Sequence, residues 1–231
     1  MIVLALDTST PVVSVAVAEL ADSPSEPGVR CCLAERAESA PARHGEVLAP
    51  LVARALAEAG TCFADLDAVA VGLGPGPFTG LRVGIVTAAA VADGLGVPVY
   101  GECSLDVLAA DHDDGEPVVV AVDARRHQVY WARYAATGRR EDGPDISAPA
   151  EVVARARGHA TRVAGAAAVA DPAGFAGLSV LRGGTHPRAA RLAAAVAARA
   201  AAGAASDPLV PLYLRRPDAV PPVAAKAVTP A

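Results

Sequence analysis

A strand–turn–strand unit occurs twice in this chain, and this repeat constrains the fold more than any other feature. The first copy has the apolar run IVLALD at residues 2–7 and a second strand at 12–17, while the second copy has VVVAVD at 118–123 and a strand at 129–134. Continuous apolar runs of this length are typical of buried strands. Each run ends in an aspartate and a short polar turn. Two copies imply a duplicated α/β lobe, each lobe built on a hairpin with an acidic turn.

The domain boundaries are predicted from this repeat and from the local composition. The first lobe covers residues 1–103, the second and smaller lobe covers 104–216, and residues 217–231 form a proline-rich, flexible tail. The lobes divide within residues 101–115, where a cluster of aspartates indicates a solvated loop.

Apolar periodicity predicts the other helices and strands. In the first lobe we expect strands at 2–6, 12–19, 30–37 and 68–71, a loop at 21–28, and helices at 45–59 and from Thr79 to about Asp93. In the second lobe we expect helices at 151–157 and 188–202 and strands at 162–164 and 178–181. The chain is therefore predicted to be an α/β protein.

The stretch GLGPGPFTGLRVG at residues 72–84 connects a predicted strand to a predicted helix. A loop that leads into a helix N-terminus can bind phosphate. However, the P-loop pattern requires Gly-Lys-Ser/Thr, and here Gly80 is followed by leucine and arginine. The dinucleotide pattern fails at Pro77, and the prolines of the loop remove amide donors. The stretch therefore favours a structural role in fixing the helix, with Thr79 as the predicted N-cap.

Small residues recur every four positions on the helix that follows this loop. Gly80, Gly84, Ala88 and Ala92 form one face that is nearly bare of side chains, so another element can approach closely. Two interpretations remain open at this point. The stripe packs against the protein's own sheet, or it forms a contact between subunits.

Composition excludes several classes of protein. The formal net charge of −5 argues against strong, autonomous binding of nucleic acid, which needs clustered positive charge. Although 53% of the residues are hydrophobic, no stretch is long and uncharged enough to predict a membrane span, and no basic leader precedes the first strand. The cysteines show no CxxC spacing, so we expect reduced thiols in a cytoplasmic protein.

Three segments carry a family resemblance. IVLALDTST, GLGPGPFTGLRVGIVTAAAVADGLGVPVYG and VVVAVDARRHQVYWARY resemble the TsaB (YeaZ) family, as does the ending Tyr213-Leu214-Arg215. That family is the bacterial subunit needed to make threonylcarbamoyladenosine in tRNA. The resemblance implies an actin-like (ASKHA, ribonuclease H-like) fold, a duplicated two-lobed mixed sheet with flanking helices.

The resemblance also implies a function and a set of partners. The chain would be a non-catalytic subunit that binds and activates a TsaD-like transferase, which threonylcarbamoylates the tRNA adenosine next to the anticodon. A TsaE-like ATPase joins that system, tRNA is met only indirectly through the complex, and no membrane is involved. A homodimer in the absence of the partner stays open.

An interface is expected from the same resemblance, since the family is described as dimerising through its first two helices. The matching residues are His44, Leu48, Leu51, Gly80, Leu81, Gly84, Thr87 and Ala88. On this hypothesis, the substitution Gly84→Leu weakens the heterodimer without unfolding the chain.

The two acidic turns suggest a vestigial nucleotide cleft formed by Asp7, Thr8, Ser9 and Asp123. This suggestion is an analogy with nucleotide-binding proteins of the actin-like fold. The chain is expected to need no cofactor of its own, and ATP or ADP at the cleft or at a subunit interface remains open. The alternative function is an autonomous ATP-dependent kinase or acyltransferase.

Catalytic and metal-binding residues are not expected in this sequence. The TsaD relatives are known for an HxxxH metal pair, but the residue four positions after His44 is Leu48. A single imidazole does not make a metal site, which counts against a glycoprotease-like metallopeptidase. Ser104 lies in no G-x-S-x-G elbow and has no assignable base.

Overall fold

The first half of the chain forms a five-stranded mixed sheet, sheet A, in a computed structural model that describes residues 1–21, 23 and 27–215. The strands are β1 (Ile2–Asp7), β2 (Val12–Leu20), β3 (Val29–Ser39), β4 (Ala68–Gly72) and β5 (Val99–Glu102), in the spatial order β3-β2-β1-β4-β5. The first three strands pair antiparallel, and β4 and β5 join parallel to β1.

The second half forms a second five-stranded sheet, sheet B, with the same connectivity. Its strands are β6 (Val118–Asp123), β7 (Val129–Tyr134), β8 (Arg140–Ser147), β9 (Arg162–Ala164) and β10 (Ser179–Val180), in the order β10-β9-β6-β7-β8. Strands β6, β7 and β8 pair antiparallel, and β9 and β10 pair parallel. The predicted duplication is therefore confirmed at the level of topology.

In the part of the chain that the structure describes, six α-helices cover the faces of the two sheets. They are α1 (His44–Glu58), α2 (Phe78–Leu95), α3 (Ser104–Ala109), α4 (Pro149–Ala156), α5 (Ala166–Ala170) and α6 (Ala189–Ala201). Alternation along β1 divides the apolar residues of sheet A between two cores. Leu4 and Leu6 pack with α1 and α2, whereas Val3 and Ala5 pack with α6. Each sheet is thus a central layer between helices.

Helix α6 packs on sheet A, although it lies late in the chain. Its buried face is rich in alanine, and it covers a sheet face that is also rich in alanine, including Ala5, Ala16 and Ala18. Small residues on both surfaces let the helix backbone approach the sheet closely. The predicted boundary between the two lobes at residue 103 stays a prediction. Helix α6 follows that boundary in the sequence but packs on the first sheet.

Several predicted elements are present and others were missed. The predicted strands of the first half, both hairpins and the three longest helices are confirmed, but β5, β8, α3 and α5 were not predicted. Thr79 as the N-cap of α2 is wrong, since the helix begins at Phe78 after Pro77. The predicted tail at 217–231 lies outside the described residues, as does part of the predicted loop at 21–28.

Helix α2 is long and apolar enough, by length and composition alone, to cross a membrane. The core helix of a soluble protein passes the same test, so the criterion is weak here. In this fold, Leu81, Ile85 and Ala88 on α2 are buried in the core of sheet A. One face of the helix is thus part of the packed interior of this structure, and the helix as a whole is 33% buried.

Candidate functional site

The turn after β1 is a buried, fully bonded cluster. Asp7 and Thr8 have no exposed surface and Ser9 has 2%. One carboxylate oxygen of Asp7 accepts hydrogen bonds from the Ser9 amide at 2.8 Å and the Ser9 hydroxyl at 2.6 Å, and the other accepts from the Ser104 hydroxyl at 2.5 Å. The cluster therefore ties the turn to the start of α3.

The pKa of Asp7 reflects this environment. Complete burial raises the pKa above its ordinary value of 3.8, because a charged carboxylate loses its hydration. The hydrogen bonds from Ser104 and Ser9 act in the opposite direction, as does the charge of His186. Burial dominates over the hydrogen bonds.

Three glycines let the Gly/Pro loop and α2 close over this turn. A Cβ at Gly72 would lie 1.8 Å from Oδ2 of Asp7, and one at Gly76 would lie 2.3 Å from the carbonyl oxygen of Ser9. A Cβ at Gly84 would lie 2.3 Å from Oγ1 of Thr8, which in turn donates to the Gly80 carbonyl at 2.8 Å. Only glycine permits these approaches, so the sequence GLGPGPFTGLRVG forms the surface against which the turn packs.

The small-residue stripe therefore faces the protein's own interior. Gly80, Leu81, Gly84 and Ala88 are buried, and on α1 the residues Leu48 and Leu51 are 1% and 2% exposed. Their own sheet and turn cover these six residues in this structure, and their expected role in a subunit interface stays a prediction. The structure agrees with the other interpretation of the stripe, which is packing within the chain.

The other two residues of the expected interface are partly exposed. Nε2 of His44 donates to the carbonyl oxygen of Thr10 at 2.8 Å, which joins the start of α1 to the β1–β2 turn. The Thr87 hydroxyl donates to the Val83 carbonyl at 2.7 Å within α2. His44 and Thr87 thus remain candidates for a partner contact, and that role stays a prediction.

The four residues of the expected nucleotide cleft differ in burial and lie on two different sheets. Asp7, Thr8 and Ser9 are buried and hydrogen-bonded within the chain, whereas Asp123 is exposed at the end of β6 on the other sheet. A cavity of about 480 Å³ lies elsewhere, lined by Asp111, His112, Arg182 and Arg191 among others. Nucleotide binding at the two acidic turns stays a prediction.

Among residues 1–21, 23 and 27–215, no three side chains of histidine, cysteine, aspartate or glutamate come together as metal ligands. The half-buried imidazole of His44 is engaged with a backbone carbonyl. The sequence-based expectation on metals remains a prediction.

The most distinctive exposed feature is an aromatic–arginine patch formed by Phe78, Arg82, Val86 and Tyr213. The rings of Phe78 and Tyr213 lie 4.9 Å apart between centroids. The Arg82 guanidinium lies 3.8 Å from the centre of the Phe78 ring, and its Nε donates to the Tyr213 hydroxyl at 3.3 Å. Val86, one turn further along the same helix, is 63% exposed. Large apolar groups are thus held in fixed positions in contact with solvent.

Two anchored segments position this patch. On α2, residues 78, 82 and 86 follow at four-residue spacing and share one outer face. The segment that carries Tyr213 is fixed by hydrogen bonds from the Leu212 amide to the Leu73 carbonyl at 2.9 Å and from the Asp207 amide to the Val99 carbonyl at 2.9 Å. Aromatic side chains and arginine are the residue types enriched at the centre of protein interfaces. The patch is a candidate partner interface.

Sequence reasoning missed most of this patch. Tyr213 was noted only as part of the family-like ending, and the four-residue spacing of Phe78, Arg82 and Val86 was available but unused. The small-residue stripe on the same helix was a more conspicuous pattern. It identified the buried face of α2, and the functional candidate lies on the opposite face.

Known proteins of this architecture identify the family. The model of the family described as TsaD, tRNA N6-adenosine threonylcarbamoyltransferase, matches residues 36–207. An uncharacterized protein of Mycobacterium tuberculosis is 46% identical over 221 residues, covering 95% of this chain and 94% of that protein. The Escherichia coli tRNA threonylcarbamoyladenosine biosynthesis protein TsaB is 35% identical over 137 residues, covering 58% of this chain and 55% of its own length.

A solved structure extends the similarity to nearly the full length. The structure of YeaZ from Pseudomonas aeruginosa has a TM-score of 0.69 and 31% identity, and covers 92% of this chain and 99% of its own. Fold and family model together define a TsaD-like, actin-like protein, which confirms the fold class implied by the resemblance. The chain belongs to the TsaB (YeaZ) family.

Proposed function

We propose that this chain is a non-catalytic subunit in threonylcarbamoyladenosine synthesis on tRNA, and that it binds and activates a TsaD-like transferase. Family membership supports the pathway, because the curated relatives that carry a function are named for it. In the described part of the chain, the buried aspartate of the first turn is committed to internal hydrogen bonds. This arrangement suits a structural node better than a reacting group.

The aromatic–arginine patch is the observation that carries the partner role. It exposes Phe78, Val86 and Tyr213 next to the charge of Arg82, and it lies on the outer face of α2. Burial of these groups against a complementary surface would supply apolar area and a charged hydrogen-bond donor together. The TsaD-like transferase is the partner that we assign to this patch.

The rest of the assembly follows from the same proposal. A TsaE-like ATPase would join the complex, and a homodimer would use the same patch when the transferase is absent. The chain would act in the cytoplasm, without a cofactor of its own. ATP or ADP, if bound, would lie at the cleft or at the subunit interface.

Val86→Asp tests the proposal with little risk to the fold, since Val86 is 63% exposed. A charge placed in a desolvated contact should weaken binding of the transferase about tenfold or more, and should reduce threonylcarbamoyl transfer to unmodified tRNA accordingly. Binding is measured by light scattering on size-exclusion fractions, and transfer by product formation with both subunits present.

Phe63→Asp is the matched control, because Phe63 is 42% exposed and lies on the turn before β4, outside the patch. It should bind and activate as the unchanged chain does, and both variants should keep the unchanged melting temperature. Normal complex formation by Val86→Asp would contradict the assignment of the patch. Equal transfer by the transferase with and without this chain would contradict the proposed function itself.

A further inference from the structure

The turn between β6 and β7 has an unusual backbone. Arg125, Arg126 and His127 are three consecutive residues with positive φ, at 62°, 54° and 58°. Among the residues that the structure describes, Ala42 is the one other non-glycine residue in this conformation, while eleven glycines adopt it. A Cβ is disfavoured in left-handed backbone, so glycine or asparagine is the usual choice there.

The retention of long side chains at these positions needs a reason. Arg125, Arg126 and His127 are all exposed, so no packing of a core requires them. Strained backbone at an exposed tip is a feature that clusters at functional sites. We therefore attribute the strained backbone of this turn to a role of these three exposed side chains.

A further arginine lies beside the turn. Arg215 donates to the side-chain oxygen of Gln128 in the same turn. Burial raises the pKa of Tyr130 at the base of the hairpin, the charges of Arg215 and Arg125 act against that rise, and the charge of Asp123 adds to it. We refer to Arg125, Arg126, His127 and Arg215 as the arginine tip. It concentrates positive charge on a chain whose formal net charge is −5.

We propose that the arginine tip binds phosphate groups of RNA, so that this chain contacts the tRNA directly. The inference rests on the proposed function and goes beyond it, since the family resemblance implied only indirect contact with tRNA. The planar fork of a guanidinium matches the oxygens of a phosphate with two parallel hydrogen bonds. Several arginines close together can contact more than one phosphate of a nucleic-acid backbone.

An RNA fits the tip better than an acidic protein does. Protein interfaces combine arginine with exposed aromatic or aliphatic anchors. At the tip the neighbouring side chains Val129 and Tyr130 are each only 4% exposed, and the exposed carboxylate of Asp123 is the nearest acidic group in the hairpin. The surface is therefore charged and polar, which suits contacts to phosphate and not a desolvated apolar contact.

The test uses the full chain in complex with its TsaD-like transferase and a fluorescent, unmodified tRNA transcript. Affinity is measured by anisotropy at two salt concentrations, for the complex and for the transferase alone. The complex should bind more tightly than the transferase alone, and Arg125→Gly with Arg126→Gly should weaken it about tenfold at low salt. The slope of log affinity against log salt should fall by about 2, because about two phosphate contacts are lost.

Two further variants separate charge at the tip from other effects. Arg125→Lys with Arg126→Lys keeps the charge and should retain most of the affinity. Arg30→Ser with Arg157→Ser removes the same charge from β3 and from the end of α4, and should leave tRNA binding unchanged. The glycine pair should melt at the same or a higher temperature than the unchanged chain, since glycine adopts positive φ without strain.

Three results would overturn the proposal. They are unchanged tRNA affinity in the glycine pair, an equal loss in the Arg30 and Arg157 control, or no gain in affinity from adding this chain to the transferase. Inorganic phosphate and ATP are tested separately, and binding of these small anions without an effect on tRNA would also reject RNA as the ligand. Complex formation and product yield test the proposed function, whereas tRNA affinity tests the arginine tip. The two proposals can therefore fail independently.

Discussion

The two acidic turns share a sequence pattern and a topology but have opposite surroundings. The turn after β1 is enclosed by the Gly/Pro loop and α2, and its Asp7 is wholly buried. The turn after β6 projects into solvent, and Asp123 and the arginines that follow are exposed. Duplication therefore preserved the strand order, while each copy acquired its own chemistry. The first turn is part of the packed interior, and the second presents charged side chains to solvent.

The largest expected loss of stability comes from substitution of Gly84, which packs against the enclosed turn. Gly84→Leu places a side chain where a Cβ alone would lie 2.3 Å from Oγ1 of Thr8, so we expect a loss of about 3 kcal/mol in the free energy of unfolding. Chemical denaturation measures this loss. The expectation made from the sequence, that this variant weakens a heterodimer without unfolding the chain, stays a prediction.

Gly94→Leu is the control on the same helix, since no atom lies within 4 Å of a Cβ built at Gly94. Leucine there should leave stability unchanged or raise it slightly, because leucine favours a helix more than glycine does. Equal stability of the Gly84→Leu and Gly94→Leu proteins would show that the stripe is not packed as described.

Removal of the two aspartates compares the turns directly. Asp7→Ala leaves the Ser9 amide and the Ser104 hydroxyl without their acceptor, so the free energy of unfolding should fall by about 2 kcal/mol. Asp123→Ala should change it by less than about 0.5 kcal/mol, since exposed positions rarely matter more. Paired urea titrations measure both values. A similar loss in both variants would remove the distinction between the turns.

The smallest expected effect is a dependence on pH. The pKa of Asp7 is raised above its ordinary value of 3.8 in the folded protein, so the folded state binds more protons than the unfolded state above that pH. The contribution of Asp7 to stability is then greatest below the ordinary pKa and declines as pH rises through the raised pKa. Asp7→Asn cannot titrate and should lack this decline.

Denaturation at several pH values between about 4 and 7 would separate the two proteins. The unchanged chain should lose stability relative to Asp7→Asn as pH increases across this range. A difference that is constant with pH, or that changes in the other direction, would mean that hydrogen bonds outweigh burial at Asp7.

The sequence predicted topology better than it predicted surfaces. The apolar runs at β1 and β6 and the aspartates that end them were enough to infer a duplicated α/β fold. The four-residue stripe at Gly80 and Gly84 correctly indicated close approach, but spacing alone does not say what approaches. The answer was the Thr8 turn, which is distant in sequence and close in space.

The remaining misses have related causes. Strand β8, REDGPDIS, carries charges, a glycine and a proline, so its pattern lacks the alternation that identifies a strand. The patch around Phe78 and Tyr213 joins two segments far apart in the chain, and only the fold brings these rings together. Left-handed backbone at Arg125 and Arg126 has no sequence signal, since neither residue favours that conformation.

Helix α6 has a consequence for how this protein is made. Sheet A is complete in sequence by residue 102, but α6, the long helix that packs on its alanine-rich face, comes only at residues 189–201. During synthesis from the N-terminus, the first sheet must wait for most of the second half to emerge before one of its two apolar faces is shielded. The order of translation and the order of burial therefore differ, and the nascent chain carries an open sheet face through much of its own production.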